Sequence, residues 1–276
     1  MELSKRLQAV ADMVSAGNRV ADIGCDHGYV SIYLIESGKA QRVIAMDVNE
    51  GPLQRAKMHI AAHNLQSYIE TRLSNGTQNL RSEEADTLIC AGMGGRLTMR
   101  ILTEGIEKIS YMKELILQPQ SEIYLVRGYL PTIGYEIVDE HMVYEEGKYY
   151  PIMRAIPREE WPENKLSVRN HHSHIDVEGV EDNRITGTAM EEVGNRATEF
   201  HMGKEYLQEI FNVYGKILIL KKHPVLKDFL QYQKDKNKKL ILNLTNVDQQ
   251  TEKQKIRLSE LEKEQKRLED TCMLIS

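Results

Sequence analysis

Apolar positions along the first 156 residues come in short runs separated by longer stretches of helical period. Leu3, Leu7, Val10 and Val14 share one helical face, and Gly17-Asn18 ends that helix. Val20-Ala-Asp-Ile-Gly24 then reads as a strand, and Val30, Leu34 and Ile35 resume a helical pattern after Gly28. The same alternation repeats. Arg42-Val-Ile-Ala-Met-Asp47 predicts a second strand, Pro52 opens a helix to about His63, and Tyr68-Ile-Glu-Thr-Arg-Leu73 predicts a third strand. Ala85-Asp-Thr-Leu-Ile-Cys90 and Glu114-Leu-Ile-Leu-Gln118 predict the fourth and fifth, with a helix over residues 124–130 stopped by Pro131. Residues 135–143 and 148–156, joined through Glu145-Glu-Gly147, predict a closing hairpin. Strands alternating with helices mark an α/β protein with a mostly parallel sheet.

Later residues follow another rhythm. Leu226, Leu230, Gln233, Asn237, Leu240, Leu244, Val247, Thr251, Gln254, Leu258, Leu261, Gln265, Leu268, Cys272 and Ile275 recur at alternating spacings of four and three, a heptad seam with polar members. Residues 243–248 are rich in turn and cap types, and Thr251 is placed to cap a second helix. An antiparallel helical hairpin is expected, with one long dimerising helix as the alternative. The chain thus divides into an α/β domain over 1–157, a polar acidic insertion over 158–205 that is expected to be mobile, and a helical coiled-coil domain over 206–276.

The chemistry collects at strand ends. Asp22-Ile-Gly-Cys-Asp-His-Gly28 is a glycine turn between strand and helix, spaced G-x-x-x-G rather than the G-x-G-x-x-G of a dinucleotide site. A pyrophosphate needs a glycine where this chain has Asp26. A ligand with an ammonium group and a ribose but no phosphates suits the acidic loop, and S-adenosylmethionine is such a ligand. Asp47, at the end of the second strand, is placed to accept from ribose hydroxyls. Candidate cofactor-binding residues are Asp22, Gly24, Cys25, Asp26, His27, Gly28, Asp47, Val48, Asn75, Gly76, Gly92 and Met93. Ala91-Gly-Met-Gly-Gly95 puts three glycines in four positions at a strand end, where a planar base can lie against bare backbone. Candidates for the reacting centre are therefore Asp26, His27, Tyr29, Gly94 and Gly95. These features predict a class I methyltransferase, Rossmann-like, with a seven-stranded mostly parallel sheet. A nicotinamide-dependent oxidoreductase is the second reading, and a non-catalytic tRNA-binding or coiled-coil scaffold the third.

Asp22-Ile-Gly-Cys-Asp-His-Gly, Ala91-Gly-Met-Gly-Gly95, Leu117-Gln-Pro119 and Glu146-Gly-Lys-Tyr-Tyr-Pro151 together resemble the bacterial tRNA (adenine-N1)-methyltransferases that act on position 22 of tRNA. The resemblance covers about residues 1–156 and resumes near Phe211. It implies a methyltransferase domain followed by a helical coiled-coil domain, S-adenosylmethionine as cofactor, and tRNA as substrate. Gln120 stands where that family is expected to have asparagine, and residues 158–205 have no counterpart in it.

Charge refines the partner. The net charge is −5, and residues 158–205, with six Lys/Arg against eleven Asp/Glu, carry all of the excess. The rest of the chain is free to present basic patches, and Lys5, Arg6, Arg96, Lys221, Lys222, Lys234, Lys236, Lys238 and Lys239 are the candidate RNA contacts. Arg55, Lys57 and His59 read as a solvated helix face. His171, His172, His174 and Asp176 lie in the polar insertion, where an exposed loop is expected rather than a metal site. Cys25, Cys90 and Cys272 form no C-x-x-C pair, and no apolar run is long enough to span a bilayer. A soluble, cytoplasmic, monomeric enzyme without a metal is expected.

Overall fold

The computed structural model describes residues 2–158, 187–247 and 249–276. His171, His172, His174 and Asp176 lie outside the described residues. The chain divides into two compact units, residues 1–183 and 184–276.

The first unit begins with α1 (Lys5–Asp12), capped by the Ser4 hydroxyl, and enters β1 (Asn18–Ile23). Then follow α2 (Tyr29–Glu36), β2 (Ala40–Asp47), α3 (Glu50–Ala62), β3 (Ile69–Leu73) and β4 (Thr87–Gly94). The remainder is α4 (Gly95–Glu104), α5 (Ile106–Ile109), β5 (Glu114–Ser121), α6 (Ile123–Tyr129), β6 (Tyr135–Glu145) and β7 (Lys148–Pro157). The sheet has seven strands in the order β3-β2-β1-β4-β5-β7-β6, with β7 antiparallel to β5 and β6 and the first five strands parallel.

Apolar residues fill both faces of this sheet, as a parallel sheet between helices requires. One core joins Val10 of α1, Ile32 and Leu34 of α2 and Ile60 of α3 to the sheet. The other joins Leu102 of α4, Ile109 of α5 and Val126 of α6. Strand order reverses between β1 and β4, so their carboxyl ends open a crevice, the usual place for a ligand in such a sheet. Of the expected turn at residues 91–95, the first four are instead the end of β4 and Gly95 opens α4. Met93 still pairs with Pro119 and Gly94 with Ser121, and the register slips around Gly92, whose φ of +79° bulges the strand.

The second unit is helical throughout its described residues: α7 (Gly187–Glu199), α8 (Lys204–Tyr214), α9 (Lys216–Leu220), α10 (Pro224–Thr245) and α11 (Glu252–Ile275). Helix α7 falls inside the segment expected to be a mobile insertion. Its buried Val193 and Ala197 belong to the helical unit, and Arg196 donates to the Met273 and Ser276 carbonyls. The helical unit therefore starts about twenty residues before the expected boundary at 206. Helices α10 and α11 form the expected hairpin and pack along each other. Thr251 caps α11 through a reciprocal box with Gln254. The seam buries Leu226, Leu230 and Asn237 against Leu261, Gln265 and Leu268, whereas Leu240 and Val247 near the tip are exposed.

Candidate active site

The loop after β1 is built by alternating left-handed residues. Gly24, Asp26 and Gly28 have φ of +74°, +48° and +74°, a conformation open to glycine and tolerated by Asp. The tight path turns the loop's amides toward the end of β2 and back on the loop itself. Gly24 and Cys25 N–H donate to the Met46 carbonyl at 2.8 and 3.0 Å, Gly28 N–H donates to the Cys25 carbonyl at 2.7 Å, and Asp26 N–H donates to Asp47 Oδ2 at 3.3 Å. Three of these four N–H groups are thus spent on the end of β2 and one within the loop, which leaves them unable to cradle a pyrophosphate.

The carboxylates are held firmly. Asp47 is buried at the end of β2 and also accepts from Asn49 N–H at 2.9 Å, so two backbone amides fix its orientation. Asp22 is buried in β1 and accepts the Ser31 hydroxyl at 2.7 Å. Burial pushes the Asp22 carboxyl up to about 6, the Ser31 bond opposes the shift, and the Asp47 charge adds to it. Burial also pushes the Cys90 thiol up to about 12 and the Cys25 thiol well above its ordinary range, so neither is a ready nucleophile. Val48, exposed just beyond Asp47, offers an apolar face at the strand end.

Residues far apart in sequence converge on this loop. A Cβ at Gly24 would collide with the terminal methyl of Met93, which places Met93 directly over the loop. His27, Tyr29 and His59 form three nearly parallel rings with centroids 5.1–5.6 Å apart, and the His59 Nδ1–H donates to the His27 carbonyl at 3.0 Å. Arg55 lies 3.8 Å from Asp26, and His27 Nε2 lies 3.6 Å from the same carboxylate. Of the helix face expected to be solvated, Arg55 and Lys57 are exposed, while His59 is half-buried against the loop and corrects that expectation. Arg55 and His59 are one and two turns into α3, whose close approach to the loop is set by Gly28 against Ala56.

The three glycines after Ala91 do different work. Gly92 is exposed and bulged, with its N–H donated to Gln118 Oε1 at 3.2 Å. Gly95 is buried, and a Cβ there would meet the Ser121 and Glu122 carbonyls at 2.6 and 2.7 Å, so its glycine lets α4 start against β5. Gly94 similarly faces the Ser121 hydroxyl. Gly95 is closed off as a shelf for a base. On the neighbouring β3 loop, Asn75 is exposed and Gly76 takes a φ of +56° against Ile101.

The basic candidates also separate. Arg6 reaches into the crevice, where Nη1 donates to Gln118 Oε1 at 3.0 Å and the guanidinium lies 5.4 Å from the Tyr150 ring centroid. Arg96 donates to Glu122 at 2.6 Å, while Lys5 is exposed. In the helical unit Lys222 donates to Glu192 of α7 at 2.9 Å and to the Ser276 carbonyl at 3.0 Å, a structural tie rather than an open cation. Lys221 precedes it in the same turn. Lys234 is half-buried, and Lys236, Lys238 and Lys239 are exposed. The sequence marks Gln118 only within a motif, and nothing in the local pattern points to Tyr150 or His59 as neighbours of the crevice.

A seven-stranded sheet with this order, an antiparallel β7 and an acidic glycine loop at the switch point defines the class I methyltransferase fold. The chain belongs to the methyltransferase-domain family, whose model matches residues 3–153. It is 37% identical over 155 residues to the tRNA (adenine(22)-N(1))-methyltransferase of Bacillus subtilis, a match that covers 56% of this chain and 65% of that protein. The crystal structure of the B. subtilis m1A22 tRNA methyltransferase TrmK superposes with a TM-score of 0.72 at 26% identity, covering 98% of each chain. A putative tRNA (m1A22) methyltransferase from Streptococcus pneumoniae in complex with S-adenosyl-L-methionine gives 0.70 at 26% identity, covering 98% of this chain and 99% of that one.

Among the described residues no group of three or more His, Cys, Asp or Glu is placed to hold a metal, and no helix is long and apolar enough to cross a membrane.

Proposed function

We propose that this chain is an S-adenosylmethionine-dependent methyltransferase that methylates N1 of an adenine in tRNA, the nucleotide at position 22. The observation that carries the cofactor is the loop itself: two buried carboxylates face a turn whose amides are already satisfied, an environment for a cationic, phosphate-free ligand. When bound, S-adenosylmethionine supplies a sulfonium-activated methyl group. Asp47 is the residue to hold the ribose, with each carboxylate oxygen retaining a lone pair beyond its amide partner. Asp22 and the 24–28 loop surround the methionine end, and Val48 and Asn75 border the adenine.

The B. subtilis and S. pneumoniae relatives supply the support for tRNA and for position 22. Adenine N1 is an unprotonated lone pair at neutral pH, so the chain's task is to align it rather than to remove a proton. The target must leave its stack to expose N1, and the crevice between Met93, Gly92 and Tyr29 is the place that receives it. The tRNA-modifying relatives make the cytoplasm the expected compartment, and a hairpin that packs its seam within one chain favours a monomer.

The test is incubation of the full chain with S-adenosylmethionine and a tRNA transcript, followed by nucleoside mass spectrometry and mapping. The expected product is 1-methyladenosine at position 22. Methylation of another nucleotide, or binding of NAD in place of S-adenosylmethionine, would overturn the reading.

A further inference from the structure

An arginine lies beside the β4 bulge: a Cβ at Gly92 would meet Arg6 Nη1 at 3.5 Å. Gln118 is completely buried in β5, and its single amide oxygen accepts from both Gly92 N–H and Arg6 Nη1. Both lone pairs of that oxygen are therefore used. Tyr150 of β7 lies under the guanidinium. Arg6 is thus fixed along one edge and across one face, by residues 112 and 144 positions away. Its other N–H groups have no hydrogen-bond partner among the described residues, and no carboxylate there pairs with it. That distinguishes it from Arg96, Arg127 and Arg154, which pair with Glu122, Glu140 and Glu114.

We infer that Arg6 grips the phosphodiester of the nucleotide whose adenine enters the crevice, and that Gln118 is the positioning residue that aims it. The inference rests on the reading of the chain as a tRNA methyltransferase. Location supports it: Gly92 lies beside Arg6, and the next residue, Met93, covers Gly24 of the loop. A nucleotide swung out of its stack carries its backbone phosphate to the rim of the pocket, where an anchored fork holds it. The planar guanidinium matches a phosphate through two hydrogen bonds, and its prior immobilisation lowers the entropy cost of forming them. A phosphate also suits the charge balance better than the base does. The adenine becomes cationic as N1 is methylated, so a guanidinium packed on the ring would oppose the reaction, whereas the phosphate stays anionic throughout.

The experiment compares the full-length wild type with Arg6→Ala, Arg6→Lys and Gln118→Leu. S-adenosylmethionine affinity is measured by calorimetry, and tRNA affinity and methylation are followed across a salt series. Arg6→Ala is expected to weaken tRNA affinity by about tenfold or more. It should also lower the slope of log affinity against log salt by about 0.7–0.9, the share of one phosphate. Cofactor affinity stays unchanged, and Arg6→Lys restores the slope while recovering only part of the affinity. Gln118→Leu keeps the charge but frees it, so affinity and kcat/KM fall while the slope is retained. A lowered affinity with an unchanged slope in Arg6→Ala would assign Arg6 to the base and overturn the inference, as would wild-type affinity in that variant. If the wild-type chain binds tRNA but methylates none of it, the functional reading fails and the inference with it. Circular dichroism and retained cofactor binding separate these outcomes from misfolding of Gln118→Leu.

Discussion

Asp22 is the residue on which stability and binding pull in opposite directions. Its carboxyl is pushed up to about 6, first by burial, against an unfolded value near 3.8. Between those values the folded protein holds a proton that the unfolded chain has lost. Stability therefore falls as pH rises through that window and levels off above about 6, at a cost of about 3 kcal/mol. Asp22→Asn keeps an acceptor for Ser31 and removes the charge. It is expected to raise the melting temperature at pH 7.5, with the gain vanishing below about pH 4. With Asp22 at the methionine end, as proposed above, the ammonium and sulfonium of the cofactor favour the ionised form. Wild-type affinity should therefore strengthen as pH rises through about 6, while the Asn variant binds more weakly and without that pH dependence. Melting curves and calorimetry between pH 4 and 7.5 check both, and a wild-type affinity flat across pH 6 would remove Asp22 from the binding step.

The same scale shows what is legible in the sequence. Asp22, Gly24, Gly28 and Asp47 are readable because a strand, a turn and the next strand end fix them within 26 residues. Their spacing also carries the exclusion of a pyrophosphate. The partners of Arg6 are not readable: Gln118 and Tyr150 reach it only through the stacking order of β4, β5 and β7. His59 is hidden for a related reason, since a histidine on a polar helix face carries no sign that the face meets a loop. The glycines at 92, 94 and 95 are visibly unusual, but one run conceals two demands, a bulge at Gly92 and a close helix start at Gly95.

At the scale of elements, periodicity performs well where both partners lie in one segment. The hairpin of α10 and α11 follows from a heptad seam broken by turn residues at 243–248, and the Thr251 cap can be read from residue type alone. Thr251→Ala removes an acceptor for Gln254 N–H and one arm of the reciprocal box. It is expected to cost about 1 kcal/mol, seen as a lower denaturant midpoint for the helical unit with little change in m-value. No change in midpoint would mean that α11 frays at this end without consequence for the unit. Helix α7 escapes the sequence pattern because its apolar positions are few. Val193 and Ala197 are one turn apart on a strongly polar segment, and their burial depends on helices that follow much later. The acidic excess that suggests an insertion is in part structural, since Glu192 neutralises Lys222 and Arg196.

For the whole molecule, the two units allow a division of labour to be tested without disturbing either core. Both apolar clusters of the sheet draw only on residues up to Ala155, so a chain ending after Arg158 retains its own interior. A cut near His223, by contrast, would strip α7, α8 and α9 of α11 and leave Ile217, Leu218 and Ile219 without cover. The chain ended at 158 is expected to fold and bind S-adenosylmethionine with wild-type affinity but to lose methylation of tRNA, because the candidate RNA-binding cations of the helical unit go with it. Lys236, Lys238 and Lys239 are three exposed cations in the second half of α10 and supply the graded arm. Reversing all three to Glu should leave cofactor binding intact and weaken tRNA binding. It should also flatten the salt slope by up to about 0.9 for each phosphate no longer neutralised. Lys222 offers the contrast: already tied to Glu192 and Ser276, its replacement should lower the stability of the helical unit while the salt slope stays as it was. Near-native tRNA methylation by the shortened chain would transfer substrate recognition wholly to the α/β unit and leave the helices a different task.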